Sequence, residues 1–199
     1  AWSGSQVRGP QPFEHSRAAA AHMLYSPYQP DVSTGMEENQ MAQERVAYIN
    51  GEIVPESEAK ISIRDAGFLA GDAVFDTTRT FGGVIYRLRE HLDRFYRSLK
   101  YMRIDPGMTK ERMAEITMQV LESNKPLLED NDDFWVSQRI TRGVPTPEGQ
   151  TPTVIIECKH LPFVERARYY RDGLPVVTPS VRRTPPEAIS PRAKVHNYI

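Results

Sequence analysis

Lysine is the first residue type to weigh, because a neutral primary amine is a nucleophile towards carbonyl carbon. The chain holds six: Lys60, Lys100, Lys110, Lys125, Lys159 and Lys194. Five lie in settings that suggest the solvated ends of strands or helices. Lys194 differs, with Ala193, Val195, Tyr198 and Ile199 around it and Pro185, Pro186 and Pro191 stiffening the chain upstream. A free lysine amine has a pKa of about 10.4, so reactivity near neutrality needs a desolvated or cation-flanked setting. On pattern alone, Lys194 still reads as an exposed lysine on an edge strand. Among the arginines, Arg94 is spaced either to lie over apolar neighbours at the surface or to fork onto an anion such as a phosphate. On pattern alone, Arg79 reads as one half of a cross-strand surface pair. The lone Cys158 follows Val154-Ile155-Ile156 and reads as a buried strand cysteine.

The elements that must position these groups are clearest between Gly71 and Arg103. Val74 to Phe81 is rich in β-branched and aromatic residues, as a half-buried strand prefers. Gly82-Gly83 suits a two-residue hairpin turn, and Val84, Ile85 and Tyr86 return as the partner strand. From Leu88 the period changes: Leu88, Leu92, Phe95, Leu99 and Met102 form one apolar stripe of a helix. Arg97 points away from that stripe, whereas Arg94 lies on its flank, one turn after His91.

At these residues the sequence resembles a known family. Asp65-Ala66-Gly67-Phe68, Gly71-Asp72, Val74-Phe75-Asp76 and Glu90-His91-Leu92-Asp93-Arg94 follow one another as in fold-type IV enzymes dependent on pyridoxal 5'-phosphate. These are the class IV aminotransferases: branched-chain and D-amino-acid aminotransferases, (R)-selective amine transaminases and aminodeoxychorismate lyase. The resemblance runs from about Tyr48 to the last residue and implies an α+β fold. It implies that Arg94 binds the cofactor's phosphate and that Lys194, in RRTPPEAISPRAKVHNYI, is the Schiff-base lysine and proton carrier. Phe75, Arg79 and Arg142 are the implied substrate contacts, Arg79 because it follows Phe75-Asp76 where branched-chain enzymes read Glu-Gly-x-Arg. Thr141-Arg142-Gly143 matches the turn that precedes a carboxylate trap in the D-amino-acid enzymes, but the Arg-x-His of that trap is missing here. Implied partners are an amino donor (a branched-chain-like amino acid or an amine), a 2-oxo acid acceptor and a second copy of the protein in a homodimer.

The remaining chain supplies the frame. A net charge of −1 argues against a nucleic-acid-binding protein, although Arg87 to Arg103 holds six basic against two acidic residues. No run of eighteen apolar residues suggests a membrane span, and no metal-ligand cluster stands out. A single cysteine suits a cytoplasmic location. Tyr48 to Val54 reads as a hairpin turning at Asn50-Gly51, and Lys60 to Ile63 as a short half-buried strand. Thr109 opens a second helix through Met113, Ile116, Val120 and Leu121. Asn124, Pro126 and Glu129 to Asp133 read as an exposed loop, and Gly143 to Gly149 as another, loose and polar. Phe134 to Thr141 and Thr153 to Glu157 are strands, and Val176-Val177-Thr178 is a further one.

This gives an expected division: 1–44 a disordered or non-native leader, 45–161 a small α/β domain, 162–173 a linker, and 174–199 the start of a larger cofactor-binding domain. The sequence ends five residues after Lys194, where the family continues with an acidic residue for the pyridine nitrogen and backbone for the phosphate. The expectation is a transaminase truncated after its lysine and inactive as these residues alone. A lyase of the aminodeoxychorismate type and a non-catalytic fragment are the competing readings.

Overall fold

The computed structural model describes residues 44–197 except Glu148. The expected leader, Tyr198 and Ile199 lie outside the described residues, apart from Glu44. Asn50 and Gly51 take the positive φ angles (49° and 115°) that close a tight hairpin between β1 (Val46–Ile49) and β2 (Glu52–Pro55). A short helix, α1 (Ala66–Ala70), leads into β3 (Ala73–Phe81). Gly82 and Gly83 turn that strand, at φ 57° and 73°, into β4 (Val84–Ile85).

Two fifteen-residue helices follow, α2 (Leu88–Met102) and α3 (Lys110–Asn124). Arg103 ends α2 in the left-handed region, and the Thr109 hydroxyl accepts the Arg112 N–H to cap α3. Then come β5 (Phe134–Thr141), β6 (Val144–Thr146), β7 (Gly149–Thr151), β8 (Val154–His160) and α4 (Phe163–Asp172).

Six strands form one antiparallel sheet in the order β2-β1-β8-β5-β3-β4. Along most of β3 and β8 burial alternates from one residue to the next. Val74, Asp76, Thr78 and Thr80 of β3 point into the core, as do Val154, Ile156 and Cys158 of β8. Leu92, Phe95 and Leu99 of α2 and Met113, Ile116 and Val120 of α3 cover that face. The result is the α+β architecture expected from the sequence, with α2 and α3 on one side of the sheet and α4 touching Trp135 and Arg79 on the other.

Several local expectations fail, each for want of a partner or because one was unseen. Lys60 to Ile63 is not a strand: Ile61 and Ile63 are exposed, and alternation without a neighbouring strand gives no ladder. Val176-Val177-Thr178 is also irregular and exposed, for the same reason. Gly143 to Gly149 is not a loose loop. β6 and β7 pair as a two-stranded ribbon, entered at Gly143, where φ is 80° and a Cβ would collide with the Thr151 carbonyl oxygen.

Asn124 is buried, not exposed. Its amide accepts the Val46 N–H and donates to the Val46 carbonyl, tying α3 to β1. Asp133, at the end of the acidic run, is also buried and accepts from Thr80 and from the Gly83 amide. Residues 163–172, within the expected linker, form α4, none of whose residues is buried, and a helical connection leaves that expectation as it stood.

Candidate active site

β3 brings the chemistry together. On its free edge the chain returns antiparallel at Ala193 to His196, with Val195 bridged to Val74. The Phe75 N–H donates to the Lys194 carbonyl, the His196 N–H donates to the Ala73 carbonyl, and the Lys194 N–H donates to Ser98 Oγ on α2. Ala193 and Val195 are buried. Lys194 is thus held through its own carbonyl and N–H on two sides, by β3 and by α2. Its ammonium group sits 3.9 Å from the centre of the Phe75 ring, which also meets His196 edge-on at 5.1 Å.

Partial burial lowers the Lys194 pKa; Asp76 opposes that shift and Arg94 adds to it. Ser98, which accepts the Lys194 N–H, donates its hydroxyl to the Arg94 carbonyl, so one side chain on α2 links the two residues. Burial also lowers the His196 pKa, with help from Arg139 and Lys194.

Arg94 lies where the helical spacing puts it, on the flank of α2, while Arg97 is exposed. Its partner was not foreseen. Asp76, wholly buried, accepts Arg94 Nε and Nη2 at 2.7 Å each and also meets His91 Nδ1 at 2.8 Å. The carboxylate fixes the guanidinium's plane, yet the Arg94 side chain stays 42% exposed, so another anion can approach it. The signal for Asp76 was in the sequence: a charged residue on the inward parity of a strand beside a helix rich in arginine.

The other expected contacts separate. Phe75 stands beside Lys194. Arg79 shares Phe75's face of the sheet but lies four residues along β3, about 13 Å at strand rise. There it donates to Asp133 and to the Thr80 carbonyl, and its guanidinium stacks 4.0 Å from the Phe81 ring centre. Arg142 joins neither group. It forks onto Asp72 and donates to the Met102 and Arg103 carbonyls, closing the C-terminal end of α2.

Asp65 was read only as part of a motif. It is buried and accepts from the Gly67 amide and the Thr141 and Thr153 hydroxyls, so it anchors α1 to β5 and to the residue before β8.

An aldehyde-bearing, phosphorylated cofactor fits this donor set. The site offers a primary amine of lowered pKa over an aromatic face and, beside it, a partly exposed guanidinium. No group of three or more His, Cys, Asp or Glu among the described residues could hold a metal ion.

Solved structures share the fold. The Escherichia coli branched-chain amino acid aminotransferase superposes with a TM-score of 0.68 at 24% identity, over 78% of this chain and 52% of that one. The branched-chain aminotransferase of the thermophilic archaeon Thermoproteus uzoniensis, solved with norvaline, gives 0.59 at 19%, over 76% and 51%. At such identities the likeness shows the fold alone, that of the fold-type IV aminotransferases.

In sequence, the family model for amino-transferase class IV matches residues 73–199. A Methanocaldococcus jannaschii protein provisionally named as a branched-chain-amino-acid aminotransferase is 36% identical over 158 residues, 76% of this chain and 51% of its own. The D-alanine aminotransferase of Staphylococcus haemolyticus is 32% identical over 108 residues, 51% of this chain and 36% of its own. The chain belongs to the class IV aminotransferase family. It spans about half the length, or less, of the curated relatives it matches.

Proposed function

We propose that the protein moves an amino group between a branched-chain-like amino acid, or an amine, and a 2-oxo acid. In this reading it uses pyridoxal 5'-phosphate, with Lys194 binding the aldehyde and Arg94 the phosphate. The observation that carries it is the docking of Lys194 on the edge of β3, its amine over Phe75 and under the influence of Arg94. The cofactor, when bound, supplies an electron sink for the electrons of the substrate's Cα–H bond.

The protein's own groups do the rest. Burial and Arg94 favour the neutral Lys194 amine, the form able to attack a carbonyl and to take a proton from the substrate's Cα. Asp76 and His91 hold Arg94, so less of its freedom is lost when phosphate binds. Phe75 gives the cofactor and substrate an apolar wall. Residues 174–199 then begin the cofactor-binding domain, with 162–173 as the connection from the smaller domain. A cytoplasmic homodimer belongs to the same reading; the buried, unpaired Cys158 supports a reducing compartment.

The test is covalent capture. With pyridoxal phosphate and borohydride, peptide mapping should find the phosphopyridoxyl mass on Lys194, and Lys194→Ala should remove it. Arg94→Ala should weaken cofactor binding roughly ten- to hundred-fold, as for a charged hydrogen bond of about 1.5–3 kcal/mol. Arg97→Ala should change it little, and Arg94→Lys should recover part of the loss. Label on another lysine with Lys194 unmodified would overturn the reading.

A further inference from the structure

The resemblance offered Arg79 as a carboxylate ligand and Arg142 as a substrate contact, and the fold engages both elsewhere. Arg79 is occupied at the far end of β3, and Arg142 is spent on Asp72 and the end of α2. A third arginine stands in the right row. Phe75 of β3 is directly opposite Arg139 of β5, which is opposite Ile155 of β8. Across the other edge of β3, the Val74–Val195 bridge sets Lys194 opposite Phe75. Lys194, Phe75 and Arg139 therefore form one line across the face of the sheet away from α2 and α3. With strands about 4.8 Å apart, the Lys194 and Arg139 backbones are about 10 Å apart, a gap that two long side chains can close around a small acid.

We infer that Arg139, held by Glu157 in line with Phe75 and Lys194, receives the carboxylate of the amino acid or 2-oxo acid substrate. This rests on the transaminase reading and adds the residue that makes the site prefer acids. Three observations support it. The Arg139 side chain is 33% exposed on this face, so a small molecule can reach it. It donates to Glu157 through Nη1, and no hydrogen bond joins Nε or Nη2 to the described residues, which leaves one edge of the guanidinium for a second carboxylate. Arg139 and Lys194 both disfavour charge on the neighbouring His196, which marks the locality as positive. A neutral His196 beside Phe75 neither competes for the acid nor repels it. Glu157 orients the guanidinium without spending its whole fork.

The experiment compares two ligands that differ in the carboxylate: 4-methyl-2-oxopentanoate and the uncharged ketone 4-methylpentan-2-one. Binding to the protein is followed by saturation-transfer NMR titration, with and without pyridoxal phosphate. Arg139→Ala should weaken the oxo acid at least ten-fold and leave the ketone unchanged, with Arg139→Lys between. Glu157→Gln is the control for a merely structural pair. It also breaks the ion pair, yet it should hold or tighten oxo-acid binding, because a competing carboxylate is gone.

Equal oxo-acid affinities in unaltered protein and Arg139→Ala would overturn the proposal. So would parallel losses in Arg139→Ala and Glu157→Gln, or no measurable oxo-acid binding by the unaltered protein. Borohydride capture on the same preparations separates the two claims. Capture at Lys194 with binding indifferent to Arg139 leaves the transaminase reading and removes this subsite. Arg139-dependent binding without capture does the reverse.

Discussion

The two faces of the central sheet are built from the same strands and do opposite things. Towards α2 and α3, Val74, Val136, Ile140, Ile156 and Cys158 are almost wholly buried, packed against Phe95, Leu99 and Val120. Towards the other side, Phe75, Arg79, Trp135, Arg139, Ile155 and Glu157 are half-exposed and mostly paired with one another or with neighbours. Strand alternation lets each residue be chosen for one face without consequence for the other. The inner face therefore provides stability and the outer face collects the groups that can meet a ligand. Cys158 shows how sharp the division is: burial on the inner face pushes its thiol up to about 12, while Glu157, the residue before it, sits in an accessible ion pair.

The largest expected contrast is between one substitution on each side. Phe95→Ala removes a fully buried ring facing the sheet and should lower unfolding free energy by about 3–5 kcal/mol. Thr77→Ala removes an outer-face hydroxyl that meets Ser137 Oγ at 2.9 Å and should change it by about 1 kcal/mol or less. Urea midpoints at constant m-value read both. Similar losses would show that the outer face also carries stability and that the two-face division is false.

Asp76 is where the division is crossed, since an inner-face carboxylate holds a partly exposed arginine. Asp76→Asn keeps the shape but removes the charge beneath Arg94 and His91. Stability should fall by about 2 kcal/mol, less than for a wholly buried pair because Arg94 keeps access to water. Cofactor affinity should fall as well, because the guanidinium loses its fixed plane. A variant with unchanged stability and unchanged affinity would mean that the pair orients nothing.

What the sequence made legible were features that depend on near neighbours. Alternation from Val74 to Phe81, the Gly82-Gly83 turn, the stripe from Leu88 to Met102 and the Asn50-Gly51 hairpin all repeat or close within a few residues. Local strand pattern misled twice, through alternation at Lys60 to Ile63 and a β-branched run at Val176 to Thr178. A β-branched run says what kind of surface a segment suits, and nothing about whether a partner edge exists. Asn124 and Asp133 looked like solvated polar residues, and Arg142 like a substrate contact, because their partners lie 78, 53 and 70 positions away. Arg139 was invisible for the same reason: its place beside Phe75 is a matter of register between β3 and β5. The resemblance pointed to Lys194 and Arg94, but the docking of one on β3 and the seating of the other on Asp76 came only with the fold.

The smallest expected effect concerns a polar residue that the inner face contains without satisfying. Gln138 is wholly buried among the core residues, opposite Asp76 on one side and Ile156 on the other. Its Nε2 donates to Thr117 Oγ1 at 3.2 Å, while Oε1 has no hydrogen-bond partner among the described residues. A buried acceptor left unpaired costs about 1–3 kcal/mol, while one long hydrogen bond returns about 1 kcal/mol at most. Leucine has a similar volume and no polar atom to desolvate. The Thr117 hydroxyl would not be orphaned, because it already donates to the Met113 carbonyl at 2.8 Å. Gln138→Leu should therefore lie within about 1 kcal/mol of the unaltered protein or be more stable, the allowance covering imperfect packing of a branched side chain. Because Gln138 points away from Lys194 and Arg139, capture of pyridoxal phosphate should be unchanged. A stability loss above about 2 kcal/mol would show that Oε1 has a partner, and that the inner face depends on a polar link as much as on its apolar packing.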